Sequence, residues 1–173
     1  MKIPFRKFVV RTTLAAIAGL LFSTQPAQAI LQKGDKAPPI KMVTTSGQPI
    51  TLNNYKGYVL VMDFFATWCI PCKESIPHLN SLNRKYGKQG LQILGVSVDE
   101  GNDREVKGFV TERKISYPVA IADEDLQTEY GLRSIPTVYV INKKGMVADK
   151  FQGYSDQTAK AMEETIKRLL AEQ

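Results

Sequence analysis

The sequence predicts an α/β fold in which helices flank a central mixed β-sheet, and three observations predict this class. Residues 58–65 form an almost wholly apolar run, which is typical of a strand buried on both faces. An amphipathic segment follows, and a second apolar run at 91–98 completes a strand-helix-strand unit, the connection that parallel strands require. Residues 142–145 read Asn-Lys-Lys-Gly between two further strand-like segments, so a hairpin adds antiparallel strands.

The first predicted elements lie on either side of the long apolar run. Residues 30–48 are rich in Gly, Pro and Lys, which favours an irregular lead-in. Short strands at 40–44 and 49–52 predict an N-terminal hairpin extension. The helix after the apolar run ends near Gly87 or Gly90, and its apolar residues recur every three to four positions on one face. These residues are Ile76, Leu79, Leu82 and Tyr86.

The second half of the chain alternates helices with short strands. Ser155 can cap a terminal helix, and the inward face of that helix is predicted to carry Met162, Ile166, Leu169 and Leu170. The predicted fold also includes a central βα-type insertion. In order, the predicted elements are a helix at 102–114, a strand at 119–122, a helix at 124–130, and strands at 137–141 and 146–151.

The first 29 residues have the three parts of a secretory signal peptide. Four basic residues lie between Lys2 and Arg11, residues 14–22 form an uncharged core, and residues 27–29 read Ala-Gln-Ala, a small-x-small cleavage pattern. The strictly apolar core is shorter than the ~18 residues that a spanning helix needs. Because the uncharged stretch reaches from Thr12 to Gln32, two outcomes stay open, cleavage after Ala29 or retention as a membrane anchor.

Residues 30–173 are expected to form one domain, because this length suits one hydrophobic core and is too short for two. The whole chain has 23 basic and 17 acidic residues and a formal net charge of +6. Four of the basic residues and no acidic residue precede residue 30, so the predicted domain keeps 19 basic against 17 acidic residues, a net charge of +2. The charge therefore gives no indication of nucleic-acid binding.

The only two cysteines lie in the segment Trp68-Cys69-Ile70-Pro71-Cys72, directly after the first apolar run. If a helix begins here, both sulfurs lie on one face and can close a small, reversible disulfide. Cys69 is the expected nucleophile, because unpaired N–H groups and the macrodipole at a helix start favour the thiolate. Cys72 would then attack the mixed disulfide and release the reduced partner. Pro71 fits the first helical turn, where its missing N–H costs nothing.

Other roles for the cysteine pair fit the sequence less well. A structural zinc site needs four ligands, and His78 is the only histidine. Covalent haem attachment needs a histidine directly after the second cysteine, where Lys73 stands. A purely structural disulfide that closes so short a loop would lower the conformational entropy of the unfolded chain only slightly, so it would add little stability. In an exported protein, a cysteine pair with no spare cysteines is therefore best explained as a redox centre.

Taken together, these motifs resemble those of TlpA/ResA-type proteins, which are exported thiol:disulfide oxidoreductases with a thioredoxin fold. The resemblance covers nearly all of residues 34–167 and implies a thioredoxin fold and a protein-disulfide oxidoreductase. It rests on Gly34-Asp35-Lys36-Ala37-Pro38, the predicted hairpin at 47–52, Phe64-Phe65-Ala66-Thr67, Pro77, Ser134-Ile135-Pro136-Thr137 and the turn at 142–145.

The resemblance also implies a substrate-binding surface around the cysteines. Pro136 corresponds to a cis proline that lies against the disulfide, and the backbone of the preceding Ile135 can pair with an extended substrate peptide. Trp68 is expected to cover the sulfur pair, and Ile70 and Pro71 complete the surface.

The resemblance further implies that two acidic residues act on the thiols. Asp63 matches a buried acid that assists proton transfer at the second cysteine, and desolvation in an apolar strand should raise its pKa. The alternative is that Asp63 bonds a polar neighbour. Glu100 falls where ResA-like proteins place a glutamate that modulates the thiols, with Asp99 as the near alternative. Many members also have a glutamate where this chain has Ser75.

The predicted function is a thiol:disulfide oxidoreductase of the cell envelope that reduces disulfides of partner proteins. We expect a periplasmic or other extracytoplasmic location, and a monomer without a cofactor or metal. The resemblance implies substrates in cytochrome c or copper-site maturation and a membrane thiol reductase as electron donor.

Two alternative functions use the same fold. A peroxiredoxin-like peroxidase would need the pattern P-x-x-x-T-x-x-C, which neither cysteine matches. A copper-binding or copper-delivery module usually adds a distant histidine, and His78 lies about half a helical turn away from the face of Cys69.

Overall fold

The computed structural model describes residues 31–101 and 103–172. Short 3₁₀ helices follow the second strand at Leu52–Tyr55 and the first helix at Gly87–Gln89. The strands and helices, in chain order, are β1 (Lys41–Val43), β2 (Pro49–Thr51), β3 (Val59–Phe65), α1 (Ile70–Tyr86), β4 (Leu91–Ser97), α2 (Asp103–Glu112), β5 (Val119–Ile121), α3 (Glu124–Glu129), β6 (Thr137–Ile141), β7 (Val147–Gln152) and α4 (Asp156–Ala171).

The main sheet has five strands in the order β5-β4-β3-β6-β7. Strands β3, β4 and β5 are parallel, whereas β6 is antiparallel to both β3 and β7. The hairpin β1-β2 forms a separate antiparallel pair, with Met42 opposite Ile50. The predicted α/β class, mixed sheet and N-terminal hairpin are therefore confirmed. In the central region, where an insertion is predicted, β5 lies between α2 and α3 in the chain and pairs with β4.

The predicted elements are all present. Strand β6 has the predicted bounds, and most other bounds differ by one or two residues. Helix α2 ends before the predicted position because Lys114 adopts a left-handed backbone conformation, with φ of 51°. The hairpin turn between β6 and β7 is closed by Asn142, whose Oδ1 accepts hydrogen bonds from the backbone N–H groups of Lys144 and Met146. Gly145 has φ of 80°, which suits a residue without Cβ.

Strand β3 separates the two layers of the core. Its side chains alternate, so Val61 and Phe65 pack in the layer with α1, whereas Met62 and Phe64 pack beneath the N-terminal hairpin and α3. The layer with α1 also contains both cysteines.

The helices use the faces that the spacing predicts. The four apolar residues predicted for α1 are buried, and so are Met162, Ile166 and Leu169 of α4, with Leu170 partly buried beside them. The Ser155 hydroxyl accepts a hydrogen bond from the backbone N–H of Thr158 and caps α4.

The predicted N-terminal segment 1–29 lies outside the described residues, as does Asn102, the predicted first residue of α2. Within the described part of the chain, no helix is both long enough and apolar enough to cross a bilayer.

Candidate active site

The cysteine pair lies at the junction of β3 and α1, where the predicted helix begins. Cys69 is the N-cap residue, and its Sγ accepts a hydrogen bond from the backbone N–H of Cys72 over 3.3 Å. Pro71 occupies the first turn, as the sequence predicts. The N-cap position exposes the Cys69 sulfur to the unpaired N–H groups and the positive end of the helix dipole, which favour a thiolate.

Cys69 and Cys72 form a disulfide, with their Cα atoms 5.3 Å apart. Cys69 is 5% exposed and Cys72 is fully buried at 0%. A partner thiol or disulfide can therefore reach the outer sulfur more easily than the inner one. On either side of Cys69, Trp68 and Ile70 are each 68% exposed, so they form an apolar rim around the outer cysteine.

The segment before β6 approaches the same layer of the core. The Ile135–Pro136 peptide bond is cis, as the resemblance implies. Ile135 packs against the core layer that contains Cys69 and Cys72. Strand β6 is the antiparallel neighbour of β3, with Thr137 opposite Phe64, and this pairing brings the cis proline to the end of β3 where the cysteines follow.

Asp63 is buried in the middle of β3, on the face that the cysteines share. Its exposed fraction is 1%, and its Oδ1 atom is buried without a hydrogen-bond partner. Desolvation raises the pKa of this carboxyl to about 7. The alternative prediction is that Asp63 forms a hydrogen bond with a polar neighbour. Oδ1 forms no such bond.

Tyr117 is close enough to Asp63 to sense its charge. Burial raises the pKa of the Tyr117 hydroxyl well above its usual value, and the negative charge of Asp63 raises it further. Gly95 lies opposite Asp63 in the β3–β4 register. Because Gly95 has no side chain, Phe65 and Tyr117 pack into the space that a side chain at this position would fill.

The turn that leads into the cysteines is held by Asp99, which follows β4. The Asp99 carboxylate accepts hydrogen bonds from the Thr67 backbone N–H, from the Thr67 hydroxyl at 2.7 Å and from the Ser97 hydroxyl at 2.7 Å. Glu105 in α2 lies 3.2 Å from the same Thr67 hydroxyl. Glu100 is exposed and makes no side-chain hydrogen bond or ion pair to another described residue, so its predicted role stays a prediction.

Thr67, Glu105 and Tyr117 also belong to this site, although the sequence patterns do not indicate a role for them there. The sequence does contain an indication that Thr67 and Asp99 lie close together. Thr67 follows β3 and Asp99 follows β4, and the carboxyl ends of adjacent parallel strands meet at one edge of the sheet. Glu105 and Tyr117 lie in α2 and in the loop before β5, and no local pattern points to them.

His78 lies in α1 and is not part of this arrangement. Its Nε2 atom is buried without a hydrogen-bond partner, and its ring centroid is 6.5 Å from that of Tyr154. The described residues contain no group of three or more His, Cys, Asp or Glu side chains that could hold a metal ion.

Comparisons with known proteins place the chain in a family. Residues 33–150 match the AhpC/TSA family. The thiol-disulfide oxidoreductase ResA of Bacillus thuringiensis subsp. konkukian is 34% identical over 141 residues, which cover 80% of this chain and 79% of the relative.

Solved structures agree with this assignment. A thiol:disulfide interchange protein of the thioredoxin family from Chlorobium tepidum TLS is 28% identical, with a TM-score of 0.71 over 80% of this chain and 98% of the other. StoA from Bacillus subtilis is 26% identical, with a TM-score of 0.63 over 75% of this chain and 96% of the other. The chain therefore belongs to the AhpC/TSA family and, with a Cys-x-x-Cys pair at the start of a helix on a thioredoxin fold, is a thiol:disulfide oxidoreductase of the ResA type.

Proposed function

We propose that this protein reduces disulfides of partner proteins outside the cytoplasm, with Cys69 as the attacking thiol and Cys72 as the resolving thiol. The observation that carries the proposal is the position of Cys69 as the N-cap of α1, with its Sγ accepting the Cys72 N–H. The greater exposure of Cys69 supports the same order of attack.

The exchange consists of two displacements. The Cys69 thiolate attacks one sulfur of the partner disulfide, which forms a mixed disulfide and releases one partner thiolate. The Cys72 thiolate then attacks the Cys69 sulfur, which closes the Cys69–Cys72 disulfide and releases the second partner thiolate. Two electrons pass from the cysteine pair to the partner, and each released thiolate takes up a proton.

Asp63 is the proton acceptor for Cys72 in this proposal. A general base works best when its pKa lies near the working pH, and burial brings the pKa of Asp63 to about 7. Asp63 alternates along β3 with Val61 and Phe65, which lie in the core layer that contains Cys72. Its unpaired Oδ1 is free to accept a proton.

The partner binds across the exposed apolar rim of Trp68 and Ile70. These side chains bury apolar area against a partner without any change in the fold. The backbone of Ile135, next to the cis Pro136, supplies hydrogen-bonding groups for an extended partner segment. Hydrogen bonds between backbones do not depend on the partner's side chains, so partner segments of many sequences can bind. This suits an enzyme that acts on proteins.

The proposed location and electron donor rest on the predicted signal segment. In an oxidising compartment the pair would stay oxidised unless a donor reduced it, so the proposal includes a membrane thiol reductase as donor. The predicted signal segment supports an extracytoplasmic location, in which residues 1–29 are either removed or kept as an anchor. Oxidised cysteines of apocytochrome c or of copper-site proteins are the substrates that the resemblance favours.

The test is a measurement of the reduction potential of the pair in glutathione or dithiothreitol buffers. A value near the ~ −270 mV of thioredoxin supports a reductase, whereas a value near the ~ −120 mV of DsbA would overturn this direction of electron flow.

Two variants test the order of attack. Cys69→Ser should abolish exchange, whereas Cys72→Ser should accumulate mixed disulfides with partner proteins, because the resolving thiol is missing. Trapped partners can then be identified by mass spectrometry. Equal activity of both variants would contradict the assigned roles.

A further inference from the structure

The end of the molecule opposite the cysteines carries a cavity of about 160 Å³. It is lined by Leu60, near the amino end of β3, and by Ile141, the residue of β6 that pairs with Leu60. The cysteines follow the other end of β3, and a strand of this length spans roughly 20 Å. The cavity is therefore separate from the exchange site.

Three lysines line this cavity without a partner of opposite charge. Lys36, Lys56 and Lys144 are exposed, and none of them forms an ion pair or a side-chain hydrogen bond with another described residue. By contrast, Lys85 and Lys107 each pair with a carboxylate. Like charges around one cavity repel each other, so the arrangement favours the binding of an anion.

Neutral groups add hydrogen-bond donors to the cavity. Tyr55 lines it, and its hydroxyl makes no hydrogen bond with another described residue. Asn142 uses its Oδ1 to close the turn before β7, which leaves its side-chain amide as a donor. Among the described residues that line the cavity there is no Asp or Glu. The nearby Asp35 accepts a hydrogen bond from the backbone N–H of Gln32.

The inner wall of the cavity is apolar, formed by Leu52, Leu60 and Ile141. A ligand that fits therefore needs an anionic group for the lysines and a short carbon stem for this wall. A phosphate monoester carries up to two negative charges and a phosphodiester carries one. Either offers several acceptor oxygens, which match three ammonium groups and two neutral donors better than the two oxygens of a single carboxylate do.

We propose that this lysine-rimmed cavity, formed by Lys36, Lys56, Lys144, Tyr55 and Asn142 over an apolar wall, binds a small phosphate ester. A phospholipid headgroup and a soluble sugar or glycerol phosphate share this chemistry. Residues 1–30 of the chain contain basic but no acidic residues, so that segment does not supply the anion. The site is independent of the exchange reaction.

The test measures how fast each lysine of the full-length chain reacts with a limiting amine-acylating reagent. Mass spectrometry gives the rate for each lysine with and without the probe, at constant ionic strength. The probes are sn-glycerol 1-phosphate and dihexanoylphosphatidylglycerol below its micelle concentration. At ten times the dissociation constant, the rates of Lys36, Lys56 and Lys144 should fall about tenfold, because bound lysines are not free to react.

Three exposed lysines elsewhere, Lys41, Lys88 and Lys160, serve as controls in the same molecule, and their rates should not change. Protection by the lipid alone assigns the site to a headgroup, and equal protection by both probes assigns it to a soluble phosphate ester. Equal protection of the control lysines, or no protection of any lysine, would overturn the proposal.

A conservative variant gives a second readout. Tyr55→Phe keeps the ring that packs in the core and removes only the hydroxyl, and the affinity for the protecting probe should fall about fivefold. Unchanged affinity in this variant would contradict the predicted role of the hydroxyl in binding.

Discussion

Burial of Asp63 makes the stability of the folded protein depend on pH. The pKa of its carboxyl is about 7 in the folded protein, against 3.8 for an ordinary aspartate. Well below pH 3.8 the carboxyl is protonated in both states. As the pH rises towards 7, the unfolded chain releases this proton while the folded protein keeps it, so folding loses stability on the order of a few kcal/mol, and the loss is complete above the folded pKa.

Asp63→Asn should remove this dependence, because the amide does not titrate. We expect a flatter profile of unfolding free energy between pH 4 and 7, and a variant at least as stable as the wild type at pH 8. Denaturant unfolding of the oxidised protein across this range measures the effect. Glu100→Gln is the control and should keep the wild-type slope, because Glu100 is exposed and its side chain makes no hydrogen bond or ion pair with another described residue. Equal slopes in the Asp63 variant and the wild type would contradict the prediction.

The same substitution should separate the two steps of exchange. If Asp63 accepts the proton of Cys72, Asp63→Asn should slow the resolution of the mixed disulfide on the order of tenfold to a hundredfold. The attack by Cys69 should keep its rate, since the helix start activates that thiol. Stopped-flow measurement of the two phases with a model disulfide distinguishes them. An equal loss in both phases would point to a general disturbance of the site.

Asp99 should matter more than Glu100 for the geometry of the turn before the cysteines. Asp99→Ala leaves the Thr67 N–H and the Ser97 hydroxyl without their acceptor, which should cost about 1–3 kcal/mol of unfolding free energy. Glu100→Ala should change the unfolding free energy by less than about 0.5 kcal/mol. Chemical denaturation of the two variants checks this order, and a reversed order would refute it.

At the scale of elements, the packing of β4 between β3 and β5 leaves no space for a side chain at Gly95. A Cβ atom there would lie 3.0 Å from Cγ2 of Val119 and 3.2 Å from a ring carbon of Phe65. Gly95→Ala should therefore destabilise the protein by about 1–3 kcal/mol through overpacking.

Gly108 provides the matched control for this prediction. It lies in α2, is exposed, and has no atom within 4 Å of the Cβ position. Gly108→Ala should stabilise the protein by about 0.5–1 kcal/mol, because alanine loses less backbone entropy in a helix. Thermal unfolding of both variants compares them directly, and opposite signs are the expected result.

The elements were predictable because each one follows from local spacing. The apolar period of α1, the cap of α4 at Ser155 and the turn at Gly145 depend on residues within one or two turns of each other. The contact of Thr67 with Asp99 joins residues 32 positions apart, and that of Asn80 with Ser116 joins residues 36 positions apart. Such contacts depend on how β3, β4 and the following loop meet in space, which local periodicity does not report.

At the scale of the whole molecule, the cysteine pair lies at one end of the central strands and the lysine-rimmed cavity at the other. Both cysteines belong to the core layer with α1, so formation of the disulfide is coupled to the stability of the entire fold. A thermodynamic cycle links the two quantities. Each ~30 mV by which folding lowers the reduction potential of the pair makes the oxidised protein ~1.4 kcal/mol more stable than the reduced one.

A reductase should therefore be more stable with the disulfide closed than with free thiols. We expect the oxidised form to unfold at a higher denaturant concentration than the form kept in dithiothreitol. The variant Cys69→Ser/Cys72→Ser is the control, and its midpoint should be the same with and without dithiothreitol. A more stable reduced form would mean that folding favours the dithiol, as it does in the strong oxidant DsbA. Because a pair that favours its dithiol withdraws electrons from its partners, that result would reverse the direction of exchange while leaving Cys69 as the attacking residue.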